Sequence, residues 1–147
     1  MFQIYNCLTT QHDWRLVVIA ALVCLLASLV TISLLHRAFV AGGNARITWI
    51  VIAGAASGCG IWTTHFIAML AYDPGTAVGY NISLTLTSLL LACMIAAIGF
   101  AVAVYAPGRY GPAIGGVILG GGVAAMHYLG MYALEVQGHI HWSWNIV

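Results

Sequence analysis

Lysine is missing from all 147 residues, and four arginines and three acidic residues carry almost all the formal charge. Charged residues make up 5% of the chain, against about 25% in a soluble domain. So few charges cannot cover a water-facing surface, so a soluble globular fold is excluded. With 63% hydrophobic residues, the composition points to an integral membrane protein. A net charge of +1 without any basic run gives no reason to expect a nucleic-acid partner.

The four cysteines show no Cys-x-x-Cys spacing, and Cys24, Cys59 and Cys93 lie in apolar runs, where a free thiol packs as a small hydrophobe. With only Cys7 outside those runs, no disulfide framework is expected. The N-terminus lacks the basic region and small-residue cleavage site of a removable signal peptide. There is no Ser/His/Asp set, no glycine-rich phosphate loop and no carboxylate pair, so enzyme activity is not expected of this segment.

What the chain does have is four long apolar stretches, read as spans Leu16–Leu35, Ile47–Tyr72, Ile82–Tyr105 and Ala113–Leu134. Each has about 20 residues or more, enough to cross a ~30 Å hydrocarbon core. "AGGN" (41–44), "DPG" (73–75) and "APGRYGP" (106–112) supply the turns. The tail "GHIHWSWNIV" reads as the approach to a further span. Arg37, Arg46 and Arg109 fall at one set of ends, Asp73 and Glu135 at the other. The positive-inside rule therefore sets the arginine loops in the cytoplasm and both termini outside, with Arg15 alone opposing. The expected fold is an all-α membrane protein of four transmembrane helices, built as two helix pairs.

Two of the spans carry a histidine in nearly charge-free surroundings: "IWTTHFIAML" (61–70) and "AAMHYLGMYA" (124–133). Aligning His65 with His127 also brings Gly54, Gly58 and Gly60 onto Gly116, Gly120 and Gly122. Met69 falls on Met131, and Asp73 on Glu135. Spans 2 and 4 thus read as copies running in the same direction, in units of about 16–80 and 82–142, with a third unit beginning at the tail. On a helical projection Gly54 and Gly58 lie within about 20° of His65, and Met69 about 40° away; Gly116, Gly120 and Met131 repeat this around His127. Small-x-x-x-small faces admit a neighbouring backbone, so this projection turns both histidines and both methionines into the bundle. Met126 lies about 100° off that face, toward a flanking helix.

An imidazole and a thioether one turn apart form a soft donor set, suited above all to Cu(I). His65, Met69, His127 and Met131, with Met126, are the candidate ligands; Tyr72 and Tyr128 are candidate supporting donors or interface anchors. A single intramembrane histidine also serves as a helix–helix hydrogen-bond partner, and methionine as packing material. Two copies at one depth favour a site. Trp62 and Trp142 read as interface aromatics, His12, His139 and His141 as solvated residues, and Asp13 and Glu135 as capping groups.

At these residues the chain resembles the MHYT domain, a bacterial integral membrane sensor family named for a repeated Met-His-Tyr-Thr motif. "MHYLGM" (126–131) is close to the pattern, with Leu129 in place of Thr. "THFIAM" (64–69) has Thr64 for the first Met and Phe66 for Tyr, and "HDWRLVVIAALVCLLAS" (12–28) is similar to the family's first span. The resemblance implies a sensory input module of the bacterial cytoplasmic membrane, without enzyme activity of its own. It would bind copper through Met, His and Tyr near the outer face and sense O2, CO or NO. It also implies six or seven spans with three motif copies, of which this chain holds two, and attached cytoplasmic output domains such as those of cyclic-di-GMP signalling. Two alternatives stand beside it. One is a haem-binding electron-transfer protein with His65 and His127 as axial ligands; the other is a copper carrier, which would need a continuous polar path. The sensor and haem readings both require the two imidazoles to lie close enough for a shared ion or porphyrin to bridge them.

Overall fold

A computed structural model describes residues 13–71, 78–106, 108, 110–132 and 134–136. Cys7, His12, Tyr72, Asp73, Arg109, His139, His141 and Trp142, together with the "DPG" turn and the C-terminal tail, lie outside the described residues. Four helices account for nearly all the rest: α1 (Trp14–Val40), α2 (Gly43–Leu70), α3 (Ile82–Tyr105) and α4 (Gly111–Tyr132). Two three-residue strands, β1 (Val78–Tyr80) and β2 (Leu134–Val136), pair antiparallel with Gly79 opposite Glu135. The fold is therefore all-α in substance, and the strand pair only ties the segment before α3 to the end of α4.

Helix lengths of 27, 28, 24 and 22 residues correspond to about 33–42 Å at 1.5 Å per residue. All four exceed the ~30 Å core of a bilayer, and all four are apolar enough to span one. The ends lie where local chemistry puts them. The Asp13 carboxylate accepts from the Arg15 amide at 2.9 Å and caps α1, which confirms the capping role expected of Asp13. The Asn81 side chain accepts from the Leu84 amide at 3.2 Å and caps α3. Between α1 and α2 the chain reverses within two residues. Gly43 takes up a φ of +54° there, an angle that a side chain disfavours, and the Arg46 guanidinium donates to the Ala41 carbonyl at 2.8 Å. Gly108, with φ +83°, serves the turn into α4.

Consecutive helices pack against each other, whereas α1 with α3 and α2 with α4 touch only marginally. At the end holding the α1–α2 turn, Ala38, Ile50, Ala53, Ala96 and Phe100 form a common core. Arg37 lies over the Trp49 ring at 5.1 Å and Arg46 over the Tyr105 ring at 5.7 Å at that same end. At the other end the Asp13 amide donates to the Ala71 carbonyl at 2.9 Å, pinning the start of α1 to the close of α2.

Small residues set the interfaces. A Cβ on Gly54 would meet the Ala97 backbone, one on Gly58 the Cys93 backbone, and one on Gly60 the Ala27 methyl. In the second hairpin Gly115 sits against Gly99 and Ala103, and Gly122 against Ile95. This corrects the projected face of α4. Gly54 and Gly58 are packed as expected, but among the described residues nothing lies within 4 Å of a Cβ added at Gly116 or Gly120. The buried line of α4 runs through Gly111, Gly115, Gly122, Met126 and Gly130, rotated by about 100° from the one anticipated. The reason is the neighbourhood. Helix α2 is flanked on both sides by α1 and α3, whereas α4 has only α3 along its length, so equivalent positions in the two copies face different partners.

Overpacking a filled interface costs about 1–3 kcal/mol, whereas an unhindered helical glycine gains up to about 1 kcal/mol on becoming alanine. Gly58→Ala is therefore expected to lower the melting temperature in detergent, while Gly120→Ala leaves it level or raises it. Equal shifts in thermal unfolding for the two variants would contradict this packing.

Candidate functional site

The last two turns of α2 and of α4 meet near the end where the strand pair lies. There the ring of His65 stands against that of His127, with centroids 4.9 Å apart and planes at 73°. The neighbour relation expected from the two motifs is thus present. What permits it is Gly130: a Cβ at that position would lie 3.2 Å from His65 Nε2 and 3.6 Å from Cδ2. The imidazole of α2 rests across the bare backbone of α4, three residues beyond His127. Gly130 escaped the sequence reading because its repeat mate is Ala68. The available signal was a glycine inside a helix, which is unfavourable by about 1 kcal/mol against alanine and so asks for a packing reason.

At this contact His65 Nε2 is buried with no hydrogen-bond partner among the described residues, as is Oγ1 of the preceding Thr64 on α2. Leaving a buried polar group unsatisfied costs about 1–3 kcal/mol. The edge of Phe66 meets the His65 ring at 5.4 Å and an interplanar angle of 81°, and Tyr128 meets the His127 ring at 5.6 Å and 67°.

The other candidates divide. Met126 is the most buried of them, 1% exposed, and Met69 is half-buried. His127 is exposed, Met131 is 46% exposed and Tyr128 73% exposed. The expectation that His127 and Met131 both point inward is therefore corrected: the rotation of α4 puts Met126 inside and leaves His127 at the margin, where the ring of His65 meets it. Among the described residues no three His, Cys, Asp or Glu side chains come together, so the nitrogen donors brought together here are the two imidazoles.

Trp62, read as an interface aromatic, has a structural task instead. Its Nε1 donates to Ser88 Oγ at 3.0 Å, and the Ser88 hydroxyl donates to the Thr85 carbonyl at 2.7 Å. Ser88 is fully buried, and the Trp62 and Phe66 rings pack at 4.4 Å. The pair clamps α2 to α3 one turn from His65.

A bundle of membrane-spanning helices, in which two spans each offer a histidine to a common contact, defines a helical membrane module with a duplicated His-centred motif. The chain belongs to the MHYT family, whose profile, described as the bacterial signalling protein N terminal repeat, matches residues 58–116 and again 120–147. The matched segments begin 62 residues apart, the same interval as His65 to His127. An uncharacterized signaling protein of Caulobacter vibrioides is 45% identical over 143 residues, covering 97% of this chain and 18% of that protein. In Pseudomonas aeruginosa, the bifunctional diguanylate cyclase/cyclic di-GMP phosphodiesterase MucR is 36% identical over 128 residues, covering 86% of this chain and 19% of its own length. The cyclic di-GMP phosphodiesterase NbdA of the same organism is 37% identical over 135 residues, covering 91% and 17%. The chain thus spans less than a fifth of the length of these curated relatives. No solved structure matches it.

Interhelical hydrogen bonds in membranes average about 0.6 kcal/mol and reach about 1.7 kcal/mol. For Trp62 and Ser88 we expect a coupling energy toward the upper end of that range, measured by a double-mutant cycle of Trp62→Phe and Ser88→Ala in mixed-micelle unfolding. Strict additivity would show that the bond contributes nothing to the pairing of α2 with α3.

Proposed function

We propose that the chain is the membrane-embedded sensory input module of a larger cyclic-di-GMP signalling protein, holding a copper ion at the His65–His127 contact. The observation that carries this reading is the ring pair itself: two imidazoles in contact, one with a buried nitrogen that has no partner among the described residues, where unpaired polarity is most costly. An ion held at about 2.0–2.1 Å by each of two imidazoles sets the ring centroids ~5 Å apart when the bonds open at a tetrahedral angle. The separation of 4.9 Å suits that arrangement.

Within the proposal, His65 and His127 are the nitrogen ligands, and Met69, Met131 and Met126 supply the thioethers. Tyr128 steadies the His127 ring from outside, and Gly130 keeps the backbone of α4 clear of His65. Bound as Cu(I), the ion would offer a soft position to a small diatomic such as O2, CO or NO. The names of MucR and NbdA support a cyclic-di-GMP output on the cytoplasmic side. Arg37 and Arg46, clustered at the opposite end from the histidines, support a site beneath the outer surface.

Two specific observations weigh against the alternatives. Axial imidazoles on opposite faces of a haem iron have centroids ~6 Å apart with a macrocycle between them, and rings in edge contact at 4.9 Å leave no such gap. A copper carrier needs a polar path, but the hydroxyls of Ser28, Thr48, Thr85 and Thr87 are spent on carbonyls of Cys24, Asn44, Asn81 and Ser83, all local to their own helix.

Elemental analysis and absorption spectroscopy of the purified protein test the reading. We expect one copper per chain that depends on the histidine pair, read as the difference between the unmutated protein and His65→Ala/His127→Ala, with no Soret band and at least a tenfold loss of affinity at that site in the variant. Gly130→Ala, which brings a methyl to 3.2 Å from His65 Nε2, should weaken copper binding while the helix content stays the same. A Soret band, or copper retained in full by the double histidine variant, would overturn the assignment.

A further inference from the structure

A second pair of soft donors faces across the α2–α3 interface. Cys59 Sγ and Cys93 Sγ are 3.9 Å apart, in a stretch where Gly58 lets the two backbones into contact: a Cβ there would lie 2.8 Å from Cys93 Sγ. Cys93 Sγ also approaches the Ala55 carbonyl oxygen at 3.8 Å. Cys59 sits six residues before His65, about 9 Å along the helix, so the two donor groups share no residue. We propose that Cys59 and Cys93 form a separate binding site for a soft monovalent cation of the Cu(I)/Ag(I) class.

The separation is that of two sulfurs in non-bonded contact, and it also leaves them placed to share an ion. A disulfide needs sulfurs at about 2.05 Å, little more than half the distance found. Two sulfurs bound at about 2.3 Å to one ion stand ~3.8 Å apart at a tetrahedral angle and ~4.6 Å apart when opposed. The observed 3.9 Å lies in that interval. Mutual S–H···S contact is a weak interaction and by itself gives little reason for two thiols to be set face to face.

Charge selects the ion. Within the apolar span a net charge is costly, and one thiolate and one thiol on a monovalent ion give a neutral assembly. The step is a simple exchange: the ion displaces one thiol proton, two sulfur–metal bonds form, and nothing is oxidised or reduced. A divalent ion such as Zn2+ prefers four ligands, and no third His, Cys, Asp or Glu joins the pair among the described residues. Sulfur donors at low coordination number favour soft cations. Cys59 is exposed and Cys93 partly so, so the pair lies at the rim of the α2–α3 interface rather than deep within it.

Silver(I) titration of the purified protein in detergent tests this site apart from the histidine pair. The His65→Ala/His127→Ala variant should keep one equivalent of Ag(I), an ultraviolet thiolate-to-metal band and the release of about one proton. Cys59→Ser and Cys93→Ser should each lose the band and bind at least tenfold more weakly, whereas Cys24→Ser should match the parent. In the unmutated protein, Ag(I) should slow alkylation of Cys59 at least tenfold relative to Cys24, read by peptide mass spectrometry, which requires no variant to fold. Equal alkylation of Cys59 and Cys24 in the presence of Ag(I), an unchanged band in the cysteine variants, or a Cys59–Cys93 disulfide in the metal-free protein would each overturn the proposal.

Discussion

Lipid removes the force that normally drives helices together, because a hydrocarbon tail is as good a neighbour for leucine as another leucine is. What remains is close contact between backbones, and this chain obtains it by leaving side chains out. Gly54 on Ala97, Gly58 on Cys93 and Gly115 on Gly99 bring α2, α3 and α4 together at separations that any larger residue would forbid. The large apolar side chains point elsewhere: Leu22, Leu26, Leu29, Leu90 and Val117 are all exposed, as residues facing acyl chains should be. Every other feature of the molecule is subordinate to these bare contacts.

The histidine pair is a direct consequence. Helices α2 and α4 have almost no interface of their own and meet because both lean on α3. At their meeting point the chain again removes a side chain, at Gly130, and lays an imidazole in the gap. A purely structural contact would have matched the imidazole nitrogen with a donor or acceptor, as Trp62 is matched with Ser88 one turn away. The contrast is informative, since the same helix satisfies one buried polar group and leaves the next one open. Satisfied polarity fixes the scaffold, and the open nitrogen beside it is what the proposed site rests on.

Much of this was legible without coordinates. The scarcity of charge set the environment, the apolar runs gave four spans close to the helices found, and α3 has the very limits expected. The repeat interval brought His65 and His127 together because equal depth in the bilayer is a matter of counting residues. Facing direction was not legible for α4. Periodicity says which residues share a side but not which side has a neighbour, and Gly116 and Gly120 show the same spacing as Gly54 and Gly58 with nothing against them among the described residues. Gly130 and the Trp62–Ser88 bond were hidden for a related reason, as each depends on a residue of another helix at a particular height.

The same imbalance between interfaces bears on how a bound ion would act. Along α2–α3 and α3–α4 the helices pack over much of their length, so parting either pair would cost that packing. The α2–α4 contact is marginal except at the imidazoles, and a marginal contact has alternative geometries of similar energy. Only a ligand with different affinities for two arrangements shifts their balance, and a ligand joining α2 to α4 binds one arrangement alone. Reversing a 1:99 equilibrium takes about 5.5 kcal/mol of differential binding, less than the ~10–16 kcal/mol that a structural metal contributes to folding. On the proposed reading, a marginal interface such as α2–α4 is therefore the effective place for the sensor site. A tightly packed contact would bind an ion equally well and have no second state to report it.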